Sequence, residues 1–303
     1  MSFAALIPLG PGWAELQRLE DLLEALFHYE PSCKAVVVVN DGNDPEAAQR
    51  VTSRFPCQIE IVENPRKGRG NWWGGGSSSG TLGGLKWVVD NVDAAFVVKL
   101  DSDSLVIGPF QNSVREFFQS NPNAALAGSH RRNPEGHPRD GLPFAPAFRK
   151  LLRRFTVWRK CPLPFRNVQF TWFGRSKRIR DLIRAAIRNG YEFGENCQGG
   201  AYALSLAGLN AFAREGLLDD SLLFLNTPIT EDVALGLFTR ALGMELCDFN
   251  HPGEPFAVRH FGLSAPPPEL VEQGYSIVHS IKDRGNFTEE GLRTFFKLRR
   301  VKR

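Results

Sequence analysis

Two carboxylates two residues apart, Asp101 and Asp103, stand at the end of the apolar run AAFVVKL, and Leu105-Val106-Ile107 follows almost at once. In an extended chain residues i and i+2 point to one side, so the two acids face together and repel. A carboxylate removed from water without compensation loses several kcal/mol or more of solvation. Two readings are open: an exposed turn, or a site for a hard divalent cation that binds through oxygen. A second acidic pair, Glu231-Asp232, follows Thr230 in NTPITEDVALGLF. Thr230 is expected as a helix N-cap, with the two acids in the first turn, where carboxylates are favoured; alone, the pair reads as a capping device. His260 and His279 each end an apolar run, AVRH and YSIVH, where an imidazole is more often structural than a ligand.

The elements that must position these groups are read from periodicity. AALIPL (4–9), KAVVVVNDG (34–42), QIEIVEN (58–64) and AAFVVKL (94–100) read as strands. Between them WAELQRLEDLLEALFHYEP carries leucines at helical spacing, PEAAQRVTSRF starts with a proline suited to a first turn, and TLGGLKWVVDNV reads as a third helix. Strand–helix alternation with near-continuous apolar strands predicts an α/β fold with a mostly parallel central sheet and helices on both faces. Such sheets bind ligands beyond the carboxyl ends of their strands. Asn40, Asp41, Asn64, Asp101 and Asp103 all fall at that edge. Asp41, within NDGND, reads equally as a turn residue. The glycine-rich RKGRGNWWGGGSSSG contains Trp72-Trp73, which a solvated linker would not, and is expected to approach a ligand closely. Further on, ENCQGGAYALSLAGLNAFAREGLL (195–218) reads as a glycine turn, a short strand around Tyr202 and a helix after Ser205.

Composition bounds the function class. The 303 residues are 42% hydrophobic and 23% charged, which argues against wholesale disorder. The five cysteines are odd in number, widely spaced and free of C-x-x-C, so neither a disulfide framework nor a thiolate zinc site is expected. No run of eighteen apolar residues exists, and MSFAALIPLGPGW lacks the basic and long apolar regions of a signal peptide. A cytoplasmic protein is the expectation.

The ordered motifs carry a resemblance. KWVVDNVDAAFVVKLDSDSLV, CQGGAYALS, TEDVALGLFTRALG and VHSIKD together resemble the GT-A glycosyltransferases of the fringe and beta-galactosyltransferase-like group, over about residues 4–283. The matching positions are Trp87, Lys99, Asp101, Asp103, Gly199, Gly200, Tyr202, Ser205, Glu231, Asp232, Val233, Gly236, His279 and Ser280. The first strands and NDGND also resemble the nucleotide half of family-two glycosyltransferases. Ser102 departs from the group's acidic triplet, and residues 131–188 match no segment of it. The resemblance implies a GT-A fold in one domain over 1–303. Residues 1–108 would be the nucleotide-binding half and 109–283 the acceptor and catalytic half, with a basic insertion at 131–188; 284–303 would be a basic C-terminal tail.

It further implies a metal-dependent, inverting hexosyltransferase that moves a sugar from a nucleotide-sugar donor, expected to be UDP-linked, to an acceptor hydroxyl. Asp103, Asp101 and His279 would hold Mn²⁺ (or Mg²⁺), manganese being favoured where an imidazole binds directly; His260 is the rival histidine. Asp232 would be the general base, with Glu231 as the alternative. Pro8, Asn40, Asp41, Arg66, Lys99, Asp101, Gly199, Gly200 and Lys282 would line the donor, with Asp41 at the uracil edge or ribose. Two other readings remain: a nucleotidyltransferase of the same architecture, which PLGPGWAEL does not favour because it lacks a triphosphate-binding cation, and a non-catalytic nucleotide-sugar or nucleic-acid binding protein.

Residues 131–188 hold sixteen Lys or Arg against three acids, whereas the whole chain has a net charge of only +4. The asymmetry points to an anionic acceptor or surface. In AFRKLLRRFTVWRK, Phe148, Leu151, Leu152, Phe155 and Trp158 form one helical stripe with cations around it. A membrane surface is favoured, which would place the protein peripherally at the inner face of the membrane. Nucleic acid and a plain solvated helix are the alternatives.

Overall fold

The computed structural model describes residues 2–55, 57–139, 144–152 and 175–301. In chain order the elements are β1 (Ala4–Leu9), α1 (Trp13–Tyr29), β2 (Ala35–Asn40), α2 (Pro45–Thr52), β3 (Gln58–Glu63), an irregular turn at Trp72–Gly76, α3 (Ser77–Asn91), β4 (Phe96–Leu100), β5 (Leu105–Val106), α4 (Gln111–Ser120), β6 (Ala124–Gly128), α5 (Ala145–Leu152), α6 (Arg175–Arg188), β7 (Ala201–Ser205), α7 (Leu206–Arg214), α8 (Glu231–Ala241), β8 (Glu245–Asp248), β9 (Phe256–Val258), α9 (Pro267–Glu272), β10 (Ile277–His279) and α10 (Glu289–Val301). The main sheet runs β3-β2-β1-β4-β7-β6-β8, and a small sheet runs β5-β10-β9. β7 is antiparallel to both its neighbours; the other pairings of the main sheet are parallel.

Alternation along β1 shows how the sheet is buried on both faces. Ala5 and Ile7 pack with α1, α2, α4, α9 and α10, whereas Ala4 and Leu6 pack with α3, α5, α6, α7 and α8. The expected α/β fold with a mostly parallel sheet and helices on both faces is therefore observed. The β1–β4 ladder ends at Leu6↔Lys99, so Pro8 lies beyond it, where a missing N–H leaves no β4 group unpaired. β3 closes one edge with half-buried residues and ends on Glu63.

Three boundaries differ from the sequence reading. The third helix begins at Ser77, not Thr81, because Gly76 already has helical torsions and Asn71 caps the preceding turn by accepting from the Trp73 N–H. The second helix stops at Thr52, short of Pro56, whose ring disfavours helical torsions in the residue before it. Thr230 occupies the N-cap position of α8, but its hydroxyl turns to Asp232 Oδ1 instead of a backbone N–H. The stripe residues Phe155 and Trp158, with Arg153 and Arg154, lie outside the described residues. Within α5, Phe148 is fully buried and stacks on Phe193, so it packs on the domain. The four cysteines among the described residues are free thiols. No helix there is long and apolar enough to cross a membrane.

Two contacts set the seat of α8. The Glu195 carboxylate lies 2.9 Å from His130 Nε2, 3.3 Å from Arg131 Nη2 and 2.7 Å from Arg240 Nη2. Burial works to raise its pKa, but the bonds from His130 and Arg240 outweigh this and hold it at about 2. At Gly236 the helix then runs directly against this loop: a Cβ there would stand 2.2 Å from the Glu195 carbonyl oxygen. Gly236→Ala should therefore lower stability by about 1–3 kcal/mol, although alanine is the better helix former by roughly 1 kcal/mol. Urea unfolding checks this, and a neutral or stabilising result would mean that α8 does not sit on that carbonyl.

Candidate active site and cation cluster

β4 delivers Lys99 and Asp101 to the sheet edge, and the turn after it delivers Asp103. The Lys99 side chain is wholly buried; its ammonium bonds Asp101 Oδ1 at 2.6 Å, Glu231 Oε1 at 3.0 Å and the Gly199 carbonyl. An ammonium has three N–H groups, and all three are used within the protein. Burial works to lower the Lys99 pKa, but the charges of Asp101 and Glu231 outweigh it and raise it. Lys99 thus meets a ligand only through the carboxylates it holds.

Asp101, Asp103 and His279 each offer one ligand atom, and these atoms all lie within 4.8 Å of one another. His279 Nε2 is 3.3 Å from Asp103 Oδ1 and 3.9 Å from Asp101 Oδ2. The other ring nitrogen, Nδ1, lies 2.6 Å from the Arg259 carbonyl oxygen. A carbonyl accepts only, so Nδ1 carries hydrogen and Nε2 is left as the donor atom toward the cluster. Each carboxylate likewise has one oxygen engaged elsewhere, Asp101 by Lys99 and Asp103 by Lys282 at 3.0 Å and by the Ser280 hydroxyl at 3.0 Å. The set is two carboxylate oxygens and one oriented imidazole nitrogen converging on one point, which fits a divalent cation such as Mn²⁺. Two unit charges at that separation repel by about 3–4 kcal/mol at an effective dielectric near 20.

The pKa pattern follows from this crowding. Burial, then the charges of Glu231 and Asp103, push Asp101 up to about 6 against the pull of Lys99, and the third of its side chain open to solvent moderates the rise. Burial also works against the Asp103 carboxylate, yet His279 and Lys282 outweigh it and hold it well below the usual range. Burial works to lower the His279 imidazole, but the Asp103 and Asp101 carboxylates raise it. A bound cation would replace the proton on that nitrogen.

Glycines make this convergence possible. A Cβ on Gly200 would fall 2.2 Å from His279 Cγ, and one on Gly199 would fall 2.9 Å from Glu231 Oε1. The Gly200 carbonyl also accepts from the Asp101 N–H and the Ser104 hydroxyl, both at 2.8 Å, and so ties the β7 entry to the acidic turn. Gly199 and Gly200 act by absence: they let His279 and the α8 carboxylates close on the β4 turn.

Glu231 and Asp232 sit side by side at the start of α8 but in different states. Burial opposes ionisation of Glu231, but Lys99 and the neighbouring Ser77 hydroxyl lower its pKa. Asp232 has no bond from the Lys99 ammonium, whose charge nevertheless acts to lower it. Burial and the charge of Glu231 push it up to about 6, against the Thr230 hydroxyl and the Val233 N–H. A carboxylate poised near 6 can exchange a proton near neutral pH, and of the two it is Asp232 that is raised toward that range while Glu231 is lowered.

Asn40 and Asp41 lie at the end of β2. Asn40 is buried and engaged by Asn43 and Glu63. Arg66 clamps Asp41, with Nε at 2.8 Å from Oδ1 and Nη2 at 2.8 Å from Oδ2, a bidentate pair that turns two of the expected donor-site residues into one unit. Of the histidines, only His279 joins the cation cluster; His260 lies against Trp73 and Phe261. The sequence reading missed Arg139, whose guanidinium bonds the Ser129, His130 and Asn196 carbonyls and the Asn196 and Gln198 side chains, with the charge of Asp232 nearby. Nothing in its sequence context marks it, since its partners lie up to 59 positions away.

No protein-family model matches the chain, and no curated protein matches it. Among solved structures, the galactosyltransferase LgtC in complex with donor and acceptor sugar analogs is similar over all of this chain and 96% of its own, at 13% identity and a TM-score of 0.47. The mannosyltransferase PcManGT from Pyrobaculum calidifontis, in complex with GDP-Man and Mn²⁺, is similar over 93% of this chain and 58% of its own, at 14% identity and a TM-score of 0.44. S. aureus TarS is similar over 46% of this chain and 23% of its own, at 17% identity and a TM-score of 0.33. The chain thus spans well under two thirds of the last two proteins. These likenesses are too distant to assign a family or an activity.

The raised Asp232 pKa has a stability consequence. The folded value, about 6, lies above the ordinary carboxylate value of 3.8, so the carboxyl is better tolerated protonated; its contribution is complete below about 4 and is lost as pH rises through 6. Asp232→Asn removes the charge that is disfavoured above that range. The variant should melt roughly 1–2 °C above wild type at pH 7.5, equivalent to about 1 kcal/mol in a domain of this size, and lose that advantage below about pH 4. Calorimetry across pH checks this; equal or lower melting at pH 7.5 would show that the ionised carboxylate is not strained there.

Proposed function

We propose that the chain is a metal-dependent glycosyltransferase of the GT-A type that moves a sugar from a UDP-sugar to an acceptor hydroxyl with inversion. The observation that carries this reading is the meeting, at one sheet edge, of a three-ligand cation cluster and a separate carboxylate poised near 6. Asp103, Asp101 and His279 would hold the cation. When bound, it stabilises the negative charge that grows on a departing diphosphate.

Asp41 has an oxygen that Arg66 leaves an open lone pair on, suited to the N3–H of uracil, and Asn40 and Pro8 flank it at the ends of β2 and β1. Lys282, half-exposed beside Asp103, is placed to meet phosphate oxygens. Gly199 and Gly200, without side chains, let His279 and the α8 carboxylates close in, and their backbone would line the donor. Asp232 would accept the proton of the acceptor hydroxyl as its oxygen attacks the anomeric carbon. The bond to the diphosphate then breaks and its electron pair leaves with the phosphate. One displacement inverts the centre, and Glu231, neutralised by Lys99, would not compete for the proton. In this reading residues 1–108 form the nucleotide half of a single domain and residues 109–283 the acceptor half.

A panel of UDP-sugars and GDP-mannose, incubated with Mn²⁺ or with EDTA, tests the reading through donor hydrolysis. A UDP-sugar should be hydrolysed with Mn²⁺ and not with EDTA, and Asp103→Asn should abolish the Mn²⁺ response. Asp232→Asn should keep UDP affinity while turnover falls by about 10²–10⁴, the usual worth of a positioned base. Hydrolysis that ignores EDTA would remove the cation, and an Asp232→Asn enzyme of normal rate would remove the base.

A further inference from the structure

The glycine-rich stretch after β3 holds a tryptophan that stands half out of the surface. Trp73 is 52% exposed, and its backbone N–H donates to Asn71 Oδ1 at 3.2 Å. Gly74 takes φ +88, with Pro228 3.2 Å from where a Cβ would stand, and Gly75 lies so flat that its Cβ would meet the Phe224 carbonyl oxygen at 2.2 Å. The Gly75 N–H donates to the Thr227 carbonyl at 3.1 Å, and the Ser78 hydroxyl to the Ile229 carbonyl at 2.7 Å. The glycines therefore press this stretch onto the segment that leads into Glu231 and Asp232, and leave the indole standing out beside it. Burying a large aromatic ring stabilises a fold by roughly 1.5–3 kcal/mol, so leaving one half-uncovered on a rigid base forgoes that gain.

Among the described residues the indole has one ring partner. His260, on the loop after β9, meets it at a centroid distance of 6.3 Å and an angle of 63°. His260 follows Arg259, whose carbonyl orients the imidazole of His279, so this contact joins the α8 side of the edge to the cation side. Phe261 lies 3.9 Å from the His260 ring, is 56% exposed, and carries the Arg284 guanidinium 5.1 Å from its centroid. The rim is thus aromatic faces alternating with polar and cationic groups. A lipid chain calls for a contiguous apolar strip, which His260 and Arg284 interrupt. A pyranose has an apolar C–H face and a ring of hydroxyls, and it matches aromatic faces with polar edges.

We propose that Trp73, His260 and Phe261 form the acceptor platform, and that the acceptor is a saccharide whose ring lies on these faces with a hydroxyl turned toward Asp232. The proposal rests on the glycosyltransferase reading for the direction of that hydroxyl, but the platform itself binds carbohydrate with or without turnover. Saturation-transfer NMR with methyl β-D-galactoside, methyl β-D-glucoside and lactose, in the presence of Mn²⁺ and UDP, tests it, alongside donor hydrolysis by the wild-type protein. Wild type should saturate the C–H protons of at least one of these probes. Trp73→Ala should weaken its binding by about tenfold, the loss of one stacked face, and Trp73→Phe should restore most of it. Circular dichroism confirms that both variants fold. No saturation in wild type, or equal saturation in wild type and Trp73→Ala, would overturn the platform. Saccharide binding that needs Trp73 without any donor hydrolysis would keep the platform and remove the transferase reading. Hydrolysis without saccharide binding would do the reverse.

Discussion

A buried lysine between the buried Glu231 and the part-buried Asp101 governs this edge of the protein. Lys99 comes from β4, Glu231 from the first residue of α8, and the Gly199 carbonyl from the entry to β7, so one ammonium fastens three elements that are distant in sequence. Taking such charges out of water is costly, and removing one partner from a buried pair typically destabilises by about 3–5 kcal/mol because the other is left uncompensated. The arrangement persists because every ammonium hydrogen finds an oxygen. A well-packed apolar cluster could hold the same elements at less electrostatic cost. What the lysine adds is a fixed orientation for Asp101, whose second oxygen faces His279.

From that anchor the acids differentiate. Glu231 is neutralised by contact with Lys99. Asp101 is shared between Lys99 and the cluster. Asp103 is held ionised by His279 and Lys282, and Asp232, which the Lys99 ammonium does not bond, is pushed up to about 6 by burial and the charge of Glu231. Four carboxylates of similar chemistry thus acquire four roles from their nearest cations. The glycines at 199, 200 and 236 let the elements bearing these groups approach to distances that a methyl group would forbid.

Much of this was legible in the sequence because it depends on short-range patterns. The i, i+2 spacing of Asp101 and Asp103 at the end of an apolar run, the paired acids before an amphipathic run, and the paired glycines at 199–200 all keep their meaning in the fold. The choice of His279 over His260 was not readable from chain position, since both end apolar runs; it turns on the Arg259 carbonyl that orients one ring. The separate fates of Glu231 and Asp232 were equally hidden, because they depend on Lys99, 132 positions away from Glu231. Thr230 misled as a simple cap because a neighbouring carboxylate competed for its hydroxyl. Trp73 stood out in the sequence as a tryptophan within a glycine-rich stretch, whereas Arg139 gained meaning only once loops far apart in sequence had been brought together.

The claim on which the rest depends is that Asp101, Asp103 and His279 hold one divalent cation. Diffraction from crystals grown with Mn²⁺ and UDP, recorded at the manganese absorption edge, addresses it without any assay. One anomalous peak should lie within about 2.5 Å of Asp101 Oδ2, Asp103 Oδ1 and His279 Nε2. No peak there, or a peak seated instead at Glu195 and His130, would show that the acidic turn is a lysine-balanced structural cluster and not a cation site.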